Sequence, residues 1–106
     1  LIKAGADVNY SFVDGDSPLH RTCKSGHLAV MMLLIDAGAD MTRRNSLGSL
    51  PLHHASQKGR NALVKVLLER GADATVSNDK GDSPLHFACW NGHERAAEIL
   101  LDAGAE

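Results

Sequence analysis

The sequence predicts an all-α solenoid, a stack of helix-turn-helix units joined by extended, hairpin-like loops. Three sets of markers in one phase carry that reading. Ser17-Pro18-Leu19-His20 returns as Leu50-Pro51-Leu52-His53 and as Ser83-Pro84-Leu85-His86, each time at an offset of 33 residues. Gly5-Ala6-Asp7, Gly38-Ala39-Asp40, Gly71-Ala72-Asp73 and Gly104-Ala105-Glu106 keep the same offset. So do the glycines at 15, 48 and 81 and those at 26, 59 and 92. Self-similarity at a fixed period of this length marks a repeat architecture built from one supersecondary element.

Each element follows from local chemistry. Ser17 and Ser83 stand where an N-cap hydroxyl accepts from a first-turn amide, and proline follows at the first helical position, where its missing N–H costs nothing. A short first helix therefore starts there and runs to about Ser25, because Gly26 breaks it. A second begins near His27 with apolar Leu28, Val30, Met31, Leu33, Leu34 and Ile35, and Gly38 stops it. The stretches between units are rich in Asp, Asn, Ser and Gly, which is turn chemistry. Leu50 stands where Ser17 and Ser83 supply a cap, so the middle helix is expected to start less firmly.

Helices of this length are not stable alone in water, where about 12 to 15 residues is already marginal. Neighbouring units must supply the other wall. Leu19, Leu52 and Leu85 on the first helices are expected to stack with Leu33, Leu34, Leu67, Leu68, Leu100 and Leu101 on the second into one continuous apolar core.

The 33-residue period, the Ser/Thr-Pro-Leu-His-x-Ala pattern and the closing Leu-Leu-x-x-Gly-Ala-Asp together resemble the ankyrin repeat, over essentially all of the chain. Residues 1–106 then form one domain. Residues 1–4 are the tail of a preceding repeat, about 5–37, 38–70 and 71–103 are units, and 104–106 start the next. Because the chain begins and ends inside the pattern, we expect a piece of a longer array, and end-to-end self-association through uncapped apolar residues such as Ile2 and Ile99. Departures from the family pattern are Leu50 at the cap, Arg60 where His27 and His93 stand in the sister units, and Phe12 where the family usually has Asp. An atypical loop is expected at Phe12.

Composition excludes several classes. A formal net charge of -2 leaves no basic stripe of the kind nucleic-acid binding demands, and no apolar run approaches the ~18 residues of a membrane span. Neither nucleic acid nor membrane is expected as a partner. His20, His53 and His86 share one repeat position, so their rungs are separated by about 8 to 10 Å, too far to share a metal ion. The resemblance implies that this histidine is structural, its ring tying loop to helix; His54 lies beside His53 on another face. Cys23 and Cys89 are two units apart, on the order of 20 Å, beyond disulfide reach. They are expected to be reduced, helix-packed residues of an intracellular protein, cytoplasmic or nuclear. Turn roles account for Asp14, Asp16, Asp79 and Asp82, and repeat roles for the remaining Ser and His residues. No catalytic constellation is left over, and no cofactor is expected.

Function is therefore expected to be protein binding. Repeat stacks offer an extended concave surface, and the resemblance implies contacts from the loop positions before Pro-Leu-His and from the two residues before the mid-repeat glycine. Among these positions the candidate contacts are Asp14, Asp16, Arg44, Leu47, Asp79, Lys80 and Asp82 on the loops, with Lys24, Gln57, Lys58, Trp90 and Asn91 on the helices. Trp90 stands out because its sister positions hold Lys24 and Gln57, and tryptophan is enriched among residues that dominate binding energy. The alternative is a regulatory or spacer segment packing within a larger enzyme, channel or effector. Leu1 and Asp7-Val8 before Asn9 resemble the asparagine-hydroxylation context of ankyrin domains; Asn9 is also suited to bonding its own turn backbone.

Overall fold

A computed structural model describes residues 8–105 of the chain. Six helices occur among them: α1 (Pro18–Ser25), α2 (Leu28–Asp36), α3 (Pro51–Gln57), α4 (Asn61–Glu69), α5 (Pro84–Trp90) and α6 (Glu94–Asp102). Each first helix packs on its own second helix. Successive first helices, α1, α3 and α5, also pack on one another, as do the second helices α2, α4 and α6. Two layers of helices result, in a body 39 Å long and 25 by 20 Å across.

The helix starts follow the sequence closely. Ser17 Oγ accepts from the His20 N–H, and His20 Nδ1 accepts from the Ser17 N–H at 3.0 Å; Ser83 and His86 repeat the arrangement. At α3 only half of it exists. The Leu50 N–H donates to His53 Nδ1 at 2.9 Å, while the His53 N–H turns to the Leu50 carbonyl at 3.0 Å because leucine has no side-chain acceptor. Leu50 is itself buried and shares the lining of a surface depression with Met41 and Val76.

The imidazole rungs also bind repeat to repeat. His20 Nε2–H donates to the Ser49 carbonyl at 2.8 Å, and His53 Nε2–H to that of Asp82 at 3.0 Å. A carbonyl only accepts, so both rings are Nε2–H tautomers whose Nδ1 is free to accept at the helix cap. Burial, the largest influence, pushes both pKa values down, which keeps these rings neutral. His86 makes the cap bond but is exposed.

The core holds Leu19, Leu52, Leu34, Leu67 and Leu100, with Met31, Val64 and the small Ala55, Ala88 and Ala96. Two expected members lie elsewhere. Leu33 is 49% and Leu101 54% exposed. The 33-residue repeat aligns Leu34, not Leu33, with Leu67 and Leu100. Leu101 shares a register position with Ile35 and Leu68, which pack against the core as partly buried residues. Those two sit on α2 and α4, each followed by another second helix, whereas none follows α6 among the described residues. Leu68 and Leu85 are half-buried, Leu85 on α5, which is likewise not followed by another first helix among them.

The loops correct a further expectation. Residues 12, 45 and 78 each donate their N–H four residues on, to Asp16, Ser49 and Asp82 carbonyls at 2.8, 3.0 and 2.8 Å. The backbone at Phe12 is therefore the same as in its sisters. What differs is the side-chain support. Asn45 and Asn78 Oδ1 each accept two loop amides, whereas in the first loop Asp14 Oδ1 takes the Asp16 N–H at 3.0 Å. Phe12 instead stacks edge-on with Tyr10 and lies 4.1 Å beneath the Arg21 guanidinium.

Candidate functional site

The loop tips and first helices form one face, and successive loops are joined across it. The Ser46 N–H reaches the Asp14 carbonyl at 3.3 Å and the Asp79 N–H that of Leu47 at 3.0 Å. This pairing fixes the spacing of the side chains the loops carry.

The twelve residues expected to touch a partner separate into groups. Asp14, Arg44, Leu47, Lys58, Asp79, Lys80, Trp90 and Asn91 are exposed, and Lys24, Gln57 and Asp82 are half-buried. Asp16 departs from expectation: it is 1% exposed and sits under the surface. Some exposed groups are committed to the scaffold. Arg44 Nη1 donates to the Gly48 and Ser77 carbonyls at 2.9 and 3.1 Å, and Asn91 Nδ2 to the Phe87 carbonyl at 2.8 Å, closing the end of α5.

Asp16 is the centre of a polar network between the first two repeats. Its Oδ2 accepts from Lys24 Nζ at 2.7 Å and pairs with Arg21 Nε at 3.5 Å. Its Oδ1 accepts from Asn45 Nδ2 at 2.9 Å. Burial pushes this carboxyl's pKa up, but the Lys24 ammonium, the Asn45 amide and the nearby His54 outweigh it and hold it at about 2.

His54 completes the network. The two loop amides on Asn45 Oδ1 fix the orientation of that side chain, so its Nδ2 must donate to His54 Nε2 at 3.1 Å. His54 Nε2 is thus an acceptor, the ring is neutral, and its 3.4 Å approach to Asp16 Oδ1 joins two acceptors and is not a hydrogen bond. Burial, then the Lys24 charge, pushes its pKa down to about 4. Asp16, His20 and His54 bring potential metal-ligand atoms within 4.8 Å of one another. However, both His20 nitrogens are used by Ser17 and Ser49, and the Lys24 ammonium already occupies Asp16. The cluster reads as a closed hydrogen-bonded network.

Sequence reasoning missed His54, Asn45, Phe87 and Arg21 on this face. The one available signal was the variable residue after Pro-Leu-His, which is Arg21, His54 and Phe87 in the three units.

Trp90 is 63% exposed. It packs edge-on against Phe87, centroids 5.8 Å apart, and lies 5.6 Å from the His86 ring. It therefore does cover Phe87 in part while presenting most of its own surface. The two thiols differ. Cys23 is buried, its pKa pushed up to about 12 by burial, whereas Cys89 is exposed, contrary to the helix-packed expectation. It lines a surface depression with Ala88, His93 and Ala97 on the last helix pair.

Asn9 bonds the next repeat: its Oδ1 accepts from the Asp40 N–H at 2.8 Å and its Nδ2 donates to the Gly38 carbonyl at 3.4 Å. Leu1, Ile2 and Asp7 lie outside the described residues.

This architecture defines an α-helical repeat stack. A family profile of ankyrin repeats, in three copies, matches residues 1–78 and 45–106. The chain belongs to the ankyrin-repeat family. No curated protein matches it. Ankyrin repeats are generally protein–protein interaction modules, and the family is typically non-enzymatic. Among the described residues no helix is long and apolar enough to cross a membrane.

Proposed function

We propose that this chain binds another protein through the concave face expected of the stack, built from the loop tips and first helices. The observation that carries the reading is Trp90, a largely exposed indole held against Phe87 at a position where the sister units have Lys24 and Gln57. Leu47 adds exposed apolar surface on the same face, and Asp79, Lys80, Asp82, Gln57, Lys58 and Asn91 form a polar surround. An apolar anchor in a polar rim is the anatomy of a binding hot spot. Asp16 and Lys24 act within the scaffold, so they contribute shape and not direct contact. Copurification of partners with the wild-type chain and with Trp90→Ala, at matched thermal midpoints, tests the reading. Partners retained equally by both would overturn it.

The remaining features favour a protein partner in a reducing, intracellular setting. The net charge is -2, with Asp14 and Asp79 exposed on the face, which disfavours nucleic acid. Two free thiols fit a compartment that keeps them reduced. Val30 and Leu33 on α2 and Leu101 on α6 are exposed apolar residues at opposite ends of the described stack, which supports end-to-end self-association; Ile99 is half-buried and contributes less. Asn9 remains a candidate for hydroxylation, tested by mass spectrometry of the protein isolated from cells.

A further inference from the structure

Both internal joints of the stack are tied by the same three hydrogen bonds. The ring of His20 or His53 donates to the carbonyl of Ser49 or Asp82. The loop amide of Ser46 or Asp79 donates to the carbonyl of Asp14 or Leu47. The side chain of Arg60 or His93 donates to the carbonyl of Lys24 or Gln57. Carried on by one more period of 33 residues, each series ends on a group of the last unit whose counterpart stands on the first. His86 Nε2, the Lys80 carbonyl and the Trp90 carbonyl have no hydrogen-bond partner among the described residues, and neither do the Val13 amide and His27 Nε2, which match the last two. The match for His86 is the Asp16 carbonyl, which accepts from the Phe12 amide as those of Ser49 and Asp82 do from Asn45 and Asn78.

The apolar surfaces are matched in the same way. Cys89 is exposed where Cys23 and Ser56 are buried, and Val30 is exposed where Leu63 and Ala96 are buried. A depression of about 340 Å³ is lined by Cys89, Gly92 and Ala97. At the earlier glycines of this position, Gly26 and Gly59, the side chains of Arg60 and His93 come close, whereas a Cβ on Gly92 would meet nothing within 4 Å. His27 holds the place of Arg60 and His93 on the first unit.

Charge selects the occupant. Asn45 donates to Asp16, and His54 comes within 3.4 Å of the same carboxylate. At the same offsets, Asp82 would face Phe12 and Arg21 of another copy. The Asp82 carboxylate has no partner among the described residues. Phe12 brings no donor, but the Arg21 guanidinium lies over its ring. That guanidinium uses Nη2 for Asp14 and Nε toward Asp16, which leaves Nη1 to donate. In register, Val8 of the next copy follows Glu106 of the first. The joint has room for only one of the two equivalent segments, 1–7 and 100–106.

We propose that a second copy of this chain docks head to tail on the α5–α6 end, its first unit seated as each unit sits on the one before, with Arg21 facing Asp82 and His27 closing the Trp90 carbonyl. The proposal rests on the end-to-end association given above and fixes its direction and contacts. Such a joint leaves one head and one tail open, so growth continues past the dimer.

Sedimentation of the full chain under reducing conditions, across a concentration series, tests this. We expect the average mass to rise through the dimer without stopping there. Asp82→Arg is expected to weaken association at least about tenfold and His27→Ala severalfold, with thermal midpoints retained. Arg21→Asp alone is expected to associate as poorly as Asp82→Arg, and an equimolar mixture of the two to regain association, because each charge then meets its opposite. If Arg21→Asp does not fold, Cys89→Arg on the exposed end replaces the mixture and is expected to leave the chain monomeric. A mass that stops at the dimer, or association indifferent to these variants, would overturn the head-to-tail joint and leave end-to-end contact standing. A mixture no better than its components would overturn the Arg21–Asp82 pairing. A chain that stays monomeric at every concentration would overturn both readings.

Discussion

Arg60 donates from Nε and Nη2 to the main-chain carbonyl of Lys24, at 3.2 and 3.0 Å, and so closes the C-terminal end of the preceding unit's first helix. Its sister His93 does the same for Gln57, with Nε2–H at 2.9 Å from that carbonyl. The last carbonyls of a helix have no intrahelical partner and carry partial negative charge, so a cationic or N–H-bearing side chain is favoured there. The replacement of His by Arg at position 60 therefore preserves the task. It also explains two glycines. A Cβ on Gly26 would sit 2.8 Å from Arg60 Nε, and one on Gly59 would sit 2.5 Å from His93 Nδ1, both at positive φ. We expect Arg60→Ala to lower stability by about 1 kcal/mol and Arg60→His to recover part of that. Gly26→Ala is expected to cost about 1 to 2 kcal/mol from the left-handed backbone alone. Chemical denaturation of the three variants checks the order; an Arg60→Ala midpoint equal to wild type would remove the capping role.

Leu50→Thr sets two effects against each other. Threonine would restore the missing N-cap acceptor, worth about 0.5 to 2 kcal/mol. The burial of Leu50 changes the outcome expected from sequence, because removing a buried leucine side chain forfeits about 1.5 to 3 kcal/mol. We expect a net loss of about 1 kcal/mol. A raised denaturation midpoint would mean that the cap outweighs the packing.

Acid is expected to destabilise the stack in two stages. The folded pKa of His54 is depressed to about 4 from 6.5, so the unfolded chain binds the proton first and stability falls as pH drops from 6.5 toward 4. Between pH 7 and pH 5 this single group accounts for up to about 2 kcal/mol. The depressed values of His20 and His53 act in the same direction. Asp16, held at about 2 against 3.8, contributes stability that is complete above pH 3.8 and lost as pH falls through 2. His54→Phe, the residue its sister position already holds, should flatten but not abolish the pH 7 to pH 5 slope. An unchanged slope in thermal midpoint would place the titration elsewhere.

The fold was legible because its determinants are local and repeated: the Pro-Leu-His cap and the glycine stops lie within a few residues of the backbone they control. The network at Asp16 was not. Asp16 bonds Lys24 and Asn45, 8 and 29 residues away, and His54 joins through Asn45; only the stacking of units brings Asn45 and His54 to it. Asp is so well suited to turns that its presence in a loop carries no signal of burial. The leucine register failed for a related reason: Leu33-Leu34 and Leu67-Leu68 look alike in sequence but are offset by one residue, which on a helix moves a side chain by about 100°. Trp90 was legible as a departure from its sister residues Lys24 and Gln57, whereas its packing on Phe87 required the geometry of the folded helix.

Trp90 separates scaffold from site. As a scaffold residue it would contribute through Phe87 and His86, whose rings it touches at 5.8 and 5.6 Å. An edge-to-face aromatic contact adds about 0.5 to 1.5 kcal/mol beyond area burial, and the indole remains 63% exposed, so little burial accompanies it. We expect Trp90→Ala to lower stability by no more than about 1 kcal/mol. As a contact residue it is expected to cost about 2 kcal/mol or more in partner affinity, the scale of a hot spot, because binding would desolvate the whole ring. Lys58 and Asp82, charged groups at the rim, are expected to contribute about 0 to 1 kcal/mol each. Calorimetric affinity and thermal midpoint measured on the same variant decide the matter: a large loss of stability with affinity intact would assign Trp90 to the scaffold and move the centre of the binding face toward Leu47 and Phe87.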